Sequence, residues 1–207
     1  MDRRVPRVIG VRHAQYDRAT GLHNEEGKAT LAQTVGRINE IIADDPPASI
    51  EIWWSPTFRT NEVAAQLVST FSSRVDRIVM ANELGCEDII VANETEFPVS
   101  EAKARIAARI EAGETLTAGV YLEEYPPARQ VQTRVLNFLM DQVLNPQDRE
   151  VEPNRLVILV SHEGVIDLLA DPGFPCLGYG EMMHFEVEYN SDFGPEWVYV
   201  PALTRRH

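Results

Sequence analysis

The stretch Val8-Ile9-Gly10-Val11-Arg12-His13-Ala14 decides the fold that this sequence predicts. Its apolar first half is typical of a buried strand, and the Arg–His pair comes where that strand ends. The run from Leu156 to Val160 repeats the arrangement, because it leads directly into Ser161-His162-Glu163-Gly164. Two strands are therefore expected to present a histidine each at their carboxyl ends.

Strands and helices alternate outward from the first stretch. The first half predicts a strand over Val5 to Val11, a helix from Asn24 to about Ala43, a strand over Ile50 to Trp54, a helix from Pro56 to about Phe71 and a strand near Arg77 to Met80. The second half predicts helices over Val99 to Ala112, Gln130 to Val143 and Gly164 to Ala170, with strands over Leu156 to Val160, Met183 to Tyr189 and Glu196 to Val200. This order predicts a three-layer α/β/α sandwich with a mostly parallel sheet, in which the last strands can be antiparallel.

The middle of the chain is harder to assign. Glu83 to Thr95 has no clean period, and Gly113 to Arg129 is rich in Gly, Pro and Glu. The third and fourth strands lie much further apart than one crossover helix requires. We therefore predict one domain over residues 1–207 with an insertion at about 90–130, which forms either a cap or lid or simply a packing subdomain.

Composition restricts the partners of this domain. The 207 residues carry a net charge of -13, with 44% hydrophobic and 25% charged residues, which is typical of a globular protein and disfavours nucleic acid. No apolar run has membrane-spanning length and the N-terminus has no signal-peptide core, so we expect a cytoplasmic protein without a membrane partner. Cys86 and Cys176 lack metal-ligand spacing, which predicts a metal-free site. The oligomeric state stays open.

Ligands of such sheets bind beyond the carboxyl ends of the strands. Arg12, His13 and His162 are expected at that edge, and Arg59 lies in the first turn of the helix that follows the second strand. Guanidinium groups match phosphate oxygens in geometry, and a helix N-terminus adds backbone N–H groups that favour an anion. The sequence therefore predicts a pocket that holds one phosphate.

Three motifs carry a resemblance to a known family. Arg12-His13-Ala14-Gln15, Ser55-Pro56 followed by Arg59-Thr60, and Ser161-His162-Glu163-Gly164 resemble, in order and setting, the histidine phosphatase superfamily of phosphoglycerate mutase-like enzymes. The resemblance spans nearly the whole chain and is nearest to the less characterised proteins with Arg-His-Ala in the first motif. Ala14, Tyr16, Ala19 and Glu163 depart from the common pattern.

The resemblance implies a metal-independent phosphatase that needs no cofactor and hydrolyses a phosphate monoester. His13 would be the nucleophile that becomes phosphohistidine, while Arg12, Arg59 and a cationic His162 would neutralise the phosphate. Gln15 would contact the substrate, which is either a phosphorylated small molecule or a phosphoprotein. His23, His184 and His207 are interpreted as structural.

A carboxyl group must protonate the leaving oxygen, and the family places it after the third strand. By resemblance we assign this acid to Glu87, with Glu83 and Asp88 as alternatives. Cys86 stands where an Arg usually precedes the acid.

Two other functions stay open at this point. A mutase-type transferase would return the phosphoryl group to a bound acceptor. A catalytically weak member would keep the cationic pocket and only bind a phosphorylated ligand or protein.

Overall fold

A computed structural model describes residues 6–147, 150, 152, 154–190 and 196–206. Val5 and His207, which enter the predictions above, lie outside the described residues. The strands are β1 (Arg7–Arg12), β2 (Ser49–Trp54), β3 (Val75–Met80), β4 (Arg155–Ser161), β5 (Met182–Asn190) and β6 (Glu196–Arg206). They form one sheet in the order β3-β2-β4-β1-β5-β6.

The register of this sheet brings the two sequence motifs together. β1, β2, β3 and β4 are mutually parallel, whereas β5 runs antiparallel to β1 and β6 antiparallel to β5, which confirms the predicted mixed sheet. Arg12 on β1 stands opposite Ser161 on β4. The next residues, His13 and His162, therefore leave neighbouring strands at the same height.

Helices cover both faces of the sheet. They are α1 (Glu25–Asp44), α2 (Phe58–Phe71), α3 (Glu87–Asn93), α4 (Val99–Glu111), α5 (Ala118–Glu124) and α6 (Ala128–Phe138). Apolar residues of α1 and α2 pack with one side of the strands, and those of α3 to α6 pack with the other side. The three-layer α/β/α sandwich predicted from the sequence is confirmed.

The first helix illustrates why these elements form. The Asn24 side chain accepts a hydrogen bond from the Gly27 N–H at 2.8 Å, which caps α1. Two glutamates in the first turn interact favourably with the positive end of the helix dipole, which stabilises α1. The apolar residues at helical spacing are buried, and they are Leu31, Val35, Ile38 and Ile42.

The helices α3 to α6, which lie between β3 and β4, share a hydrophobic core with the sheet. Ala102 of α4 and Leu122 of α5 belong to the same buried cluster as Trp53 and Leu159 of the strands. Arg109 of α4 donates to Glu123 of α5 at 2.7 Å, which ties these two helices together. The sequence did not indicate α3 or α5, because seven residues are too few to show a helical period.

The predicted helix over Gly164 to Ala170 is wrong. The structure has a turn at Gly164, with φ +73°, and only a short 3₁₀ helix at Asp167–Leu169. The buried Asp167 carboxylate accepts from the backbone N–H groups of Gly164 at 2.8 Å and Leu177 at 2.6 Å. Such side-chain bonds to the backbone compete with helix formation.

The helix predicted over Gln130 to Val143 also needs correction. It begins at Ala128 and ends at Phe138, after which the chain continues as a wider π-type turn at Leu139–Leu144.

Within the described ranges, no helix combines the length and the apolar character that crossing a bilayer requires.

Candidate active site

The carboxyl ends of β1 and β4 form the floor of a cavity of about 440 Å³. β1 delivers Arg12 and His13, and β4 delivers His162. The first turn of α2 adds Arg59. The four residues predicted to hold and attack a phosphate therefore line a single cavity.

His13 is placed as a nucleophile would be. Its side chain is 96% buried, and Nδ1 lies 2.8 Å from the Ala14 carbonyl oxygen. Because a carbonyl only accepts, Nδ1 carries the proton and Nε2 keeps a free lone pair. Burial, followed by the neighbouring His162, Arg59 and Arg12, lowers the pKa of His13 to about 3. The imidazole is therefore neutral at neutral pH.

The hydrogen bonds and charges around His162 set its protonation state. Arg59 Nε donates to His162 Nδ1 at 3.2 Å, so Nε2 carries the proton and donates to Ser55 Oγ at 2.9 Å. Burial, with smaller contributions from Arg59 and Arg12, lowers the pKa of His162 to about 3. The unliganded protein therefore holds His162 neutral, because burial and two nearby guanidinium groups disfavour its charged form, and the predicted cationic state applies to the phosphate-bound site.

The acidic unfolding of the protein should report on this pair. Both His13 and His162 bind protons less readily when folded than when unfolded, where an ordinary histidine has a pKa near 6.5. Between about pH 6.5 and 3 the unfolded chain binds more protons, so stability falls as pH falls through that window. The free energy of unfolding, measured with urea at pH values from 7 to 4, reports this dependence. His162→Gln should flatten the slope, and parallel curves would contradict the shifted pKa.

Arg12 is held by an internal anion. Its guanidinium donates to Glu163 Oε2 and to the Leu177 carbonyl, and the Tyr121 hydroxyl donates to the other oxygen of Glu163. Arg12 Nε is buried and has no partner within the described part of the chain. The Nε–H group of Arg12 is thus unpaired, while the Glu163 carboxylate offsets the positive charge of the guanidinium.

Replacing Glu163 by Gln should strengthen binding of inorganic phosphate about tenfold, because it removes a negative charge beside the anion site and keeps an acceptor for Tyr121. Calorimetric titration with phosphate measures the effect. Glu123→Gln is the matched control, since Glu123 of α5 pairs with Arg109 of α4 instead of with a residue of the cavity. Weaker phosphate binding by the Glu163 variant would show that the carboxylate supports the site.

Two tyrosines pack against the guanidinium groups, and the sequence motifs gave no sign of Tyr179. The Arg12 guanidinium lies over the Tyr179 ring at 4.2 Å, and that of Arg59 lies over Tyr16 at 4.7 Å. Both rings also contact His13, at centroid distances of 5.6 Å and 5.4 Å. Stacking restricts both arginines, so Tyr16, which departs from the pattern of the family that the sequence resembles, limits the movement of Arg59.

The candidate acids separate in space. Glu87 lies on the cavity wall together with Arg59. Asp88 pairs with Arg134 at 2.7 Å, and Glu83 lines a separate surface groove along α6. Burial raises the pKa of Cys86 to about 11, so this thiol adds no charge beside the acid. Of the three carboxylates, Glu87 is the one whose position suits proton transfer in this cavity.

Gln15, predicted to contact substrate, is not brought to the described lining of the cavity. Its amide donates to Glu26 Oε1 at 3.1 Å, because the start of α1 packs directly against its backbone. His23 is buried near Glu62, away from the cavity, and its backbone N–H donates to that carboxylate at 2.6 Å. Among the described residues, no group of three or more His, Cys, Asp or Glu side chains is placed to hold a metal ion.

The loop before β5 fixes the backbone of the Arg–His pair. Gly180 N–H donates to the His13 carbonyl at 3.2 Å, and Arg12 N–H donates to the Glu181 carbonyl at 3.1 Å. Gly180 has φ +69°, and a Cβ there would lie 2.4 Å from Thr30 Cγ2. The turn therefore requires glycine for both its conformation and its close approach to α1.

Gly180→Ala should destabilise the protein by about 2–4 kcal/mol, because it combines a left-handed backbone with a steric clash. Urea unfolding measures the change. Gly36→Ala is the control, since it lies inside α1 with nothing within 4 Å of its Cβ position, and should stabilise by about 0.5–1 kcal/mol. Equal midpoints for the two variants would refute the constraint.

Comparison with known proteins supports the fold. No family model matches the chain, and no curated protein matches it. Among solved structures, a mycobacterial glucosyl-3-phosphoglycerate phosphatase is similar at 17% identity and TM-score 0.53, over 94% of this chain and 97% of that one. A phosphoglycerate mutase from Plasmodium falciparum matches at 14% identity and TM-score 0.41, over 96% and 90%. The likeness to the phosphatase shows a shared α/β fold, which confirms the fold expected from the sequence resemblance.

Proposed function

We propose that this chain is a metal-independent phosphatase of the histidine phosphatase superfamily, which hydrolyses a phosphate monoester through a phosphohistidine on His13. The observation that carries the proposal is the free Nε2 lone pair of a buried, neutral His13 inside a cavity that also holds Arg12, Arg59 and His162. A phosphate dianion is attacked only when its charge is neutralised, and two guanidinium groups supply that neutralisation.

In the first step, His13 Nε2 attacks phosphorus and the bond to the ester oxygen breaks. Arg12 and Arg59 bind the non-bridging oxygens, on which negative charge is spread in the transition state. The Glu87 carboxylic acid gives its proton to the departing oxygen, so the product leaves as a neutral alcohol.

In the second step, the Glu87 carboxylate takes a proton from a water molecule, whose oxygen attacks the phosphorus of phosphohistidine. The N–P bond breaks, inorganic phosphate leaves, and His13 returns to its neutral form. The Nδ1–H bond to the Ala14 carbonyl keeps Nε2 directed at phosphorus through both steps.

In this scheme, His162 becomes positively charged when the substrate binds. A dianion beside it offsets Arg12 and Arg59, which raises the pKa that these residues lower in the free protein. His162 then binds a proton and donates to a phosphate oxygen. Substrate binding is therefore accompanied by proton uptake.

Trapping of the phosphoenzyme tests the proposal. Protein mixed with a phosphorus-labelled monoester in chelator and stopped in alkali, where phosphohistidine survives, should carry label on His13. Mass spectrometry locates the label, and inorganic phosphate should appear at the steady-state rate. Hydrolysis without any label on histidine would overturn the proposal, and label passed to an added alcohol instead of water would favour a mutase-type transferase.

A phospho-ligand-binding protein with little turnover is the second candidate. The observation in its favour is the Glu163 carboxylate on Arg12, which opposes an incoming phosphate. Binding of vanadate without phosphate release or labelled histidine would favour this candidate.

A further inference from the structure

Beyond the phosphate-binding floor, the cavity has an upper part formed by the helices between β3 and β4. We infer that the alcohol portion of the substrate is a compact apolar ring or chain that carries one hydrogen-bonding group. This inference rests on the proposed function and names its substrate class. It excludes the polyhydroxylated sugar phosphates.

The upper part of the cavity is lined by apolar side chains from three helices. These side chains are Ile90 of α3, Val99, Ala102 and Ile106 of α4, and Ala128 and Val131 of α6. A sugar body placed here would lose its hydrogen bonds to water and find few replacements. An apolar body would gain from the same transfer, by about 0.8 kcal/mol for each buried methylene group.

Tyr125 provides the exception to this apolar surface. Its side chain lines the same cavity and is 93% buried, and its hydroxyl has no hydrogen-bond partner among the described residues. A buried hydroxyl without a partner costs free energy, which a ligand atom recovers when the side chain turns its oxygen toward the cavity and pairs with it. The geometry therefore favours one polar atom on the apolar body.

The charges of the cavity match a single phosphate group. Its described lining contains the cations Arg12, Arg18, Arg59 and Lys103 and the anions Glu87 and Glu163. On the floor, the charges of Arg12 and Arg59 together equal in magnitude that of one monoester dianion. Arg18 and Lys103 are exposed, so they lie at the mouth and leave the apolar part uncharged.

The volume favours a small molecule over a phosphoprotein. The whole cavity measures about 440 Å³, near the lower end of the range of small-molecule sites. Phosphate occupies the floor, which leaves space for a body of about one or two rings. A phosphorylated side chain on a folded protein would leave most of the apolar surface uncovered.

A matched pair of substrates tests the inference. Cyclohexyl phosphate and myo-inositol 1-phosphate present the same ring, one apolar and the other bearing five hydroxyl groups. We expect kcat/KM to be about 10- to 100-fold higher for cyclohexyl phosphate. The unreacted esters titrated into His13→Asn should show the same order of affinity, which decides the point even where turnover is low.

Tyr125→Phe tests the single polar contact. On the native protein, 4-hydroxycyclohexyl phosphate should exceed cyclohexyl phosphate about fivefold in kcat/KM, and the variant should abolish that advantage while retaining cyclohexyl phosphate hydrolysis. Thr70→Val is the control, because it removes a hydroxyl group from the exposed face of α2, outside the cavity, and should leave the advantage unchanged.

The outcomes separate the two proposals. Equal or better use of inositol phosphate, or faster hydrolysis of a phosphopeptide than of cyclohexyl phosphate, with labelled His13 retained would overturn the substrate class alone. Loss of the labelled histidine with a preserved affinity order would overturn the phosphatase and leave the ligand class standing.

Discussion

Replacing His13 by Asn is expected to lower kcat/KM by at least about 10⁴-fold and to abolish the labelled phosphoenzyme. Asn keeps a polar side chain of similar size but has no ring nitrogen that can form a phosphoramidate bond. In enzymes that use covalent intermediates, removal of the nucleophile lowers the rate by factors of this order. The residual activity comes from the remaining groups, which still bind and polarise the substrate. Steady-state kinetics with a simple aryl phosphate, together with the alkaline quench, measures both expectations.

His23→Asn is the matched control for this experiment. His23 is also a buried histidine whose pKa is lowered, chiefly by burial, but it lies beside Glu62 and outside the cavity. Its replacement should leave kcat/KM within about threefold, a change typical of sites remote from chemistry. Equal activity of the two variants would remove His13 from the mechanism.

Replacing Arg59 by Ala is expected to lower kcat/KM by about 10³-fold or more. This guanidinium would bind phosphate oxygens in the transition state, and removal of a transition-state arginine has effects of 10³ to 10⁵ in phosphoryl transfer. Arg59→Lys should recover only part of the loss, because an ammonium group cannot donate in a bidentate fork or stack on Tyr16 in the same way.

A second readout separates the Arg59 effect from a loss of structure. Arg59 donates to His162 Nδ1 and its charge lowers the pKa of that ring, so Arg59→Ala should raise the His162 pKa. Proton NMR titration follows it. Arg18→Ala removes the same charge from the exposed mouth of the cavity and should change kcat/KM by less than about fivefold, since exposed charges are screened. Similar losses in both variants would mean that general charge, not the clamp, supports activity.

The sequence predicted the floor of the site because the floor follows strand order. Once Arg12-His13 and Ser161-His162 are read as the ends of parallel strands, their proximity needs only the register that β1 and β4 adopt. Arg59 is predictable for the same reason, since it follows β2 within one helical turn.

The walls of the site were not predictable in this way. Tyr121, Tyr125 and Tyr179 reach the cavity from a short helix and from loops, whose paths depend on packing between distant segments. The neutral state of His162 was also missed, because burial and the charges of neighbouring arginines emerge only from the folded arrangement. The Gly164 turn likewise depends on Asp167, whose carboxylate bonds across to Leu177.

The brace made by Asp167 has a consequence for how Arg12 exchanges partners. Both acceptors of the guanidinium, Glu163 and the Leu177 carbonyl, belong to the chain segment that Asp167 ties to itself. An incoming anion that displaces the Glu163 side chain leaves the Leu177 carbonyl in place, because that carbonyl is part of the braced backbone. Arg12 can therefore exchange the Glu163 carboxylate for another anion while its hydrogen bond to the Leu177 carbonyl keeps the guanidinium in position.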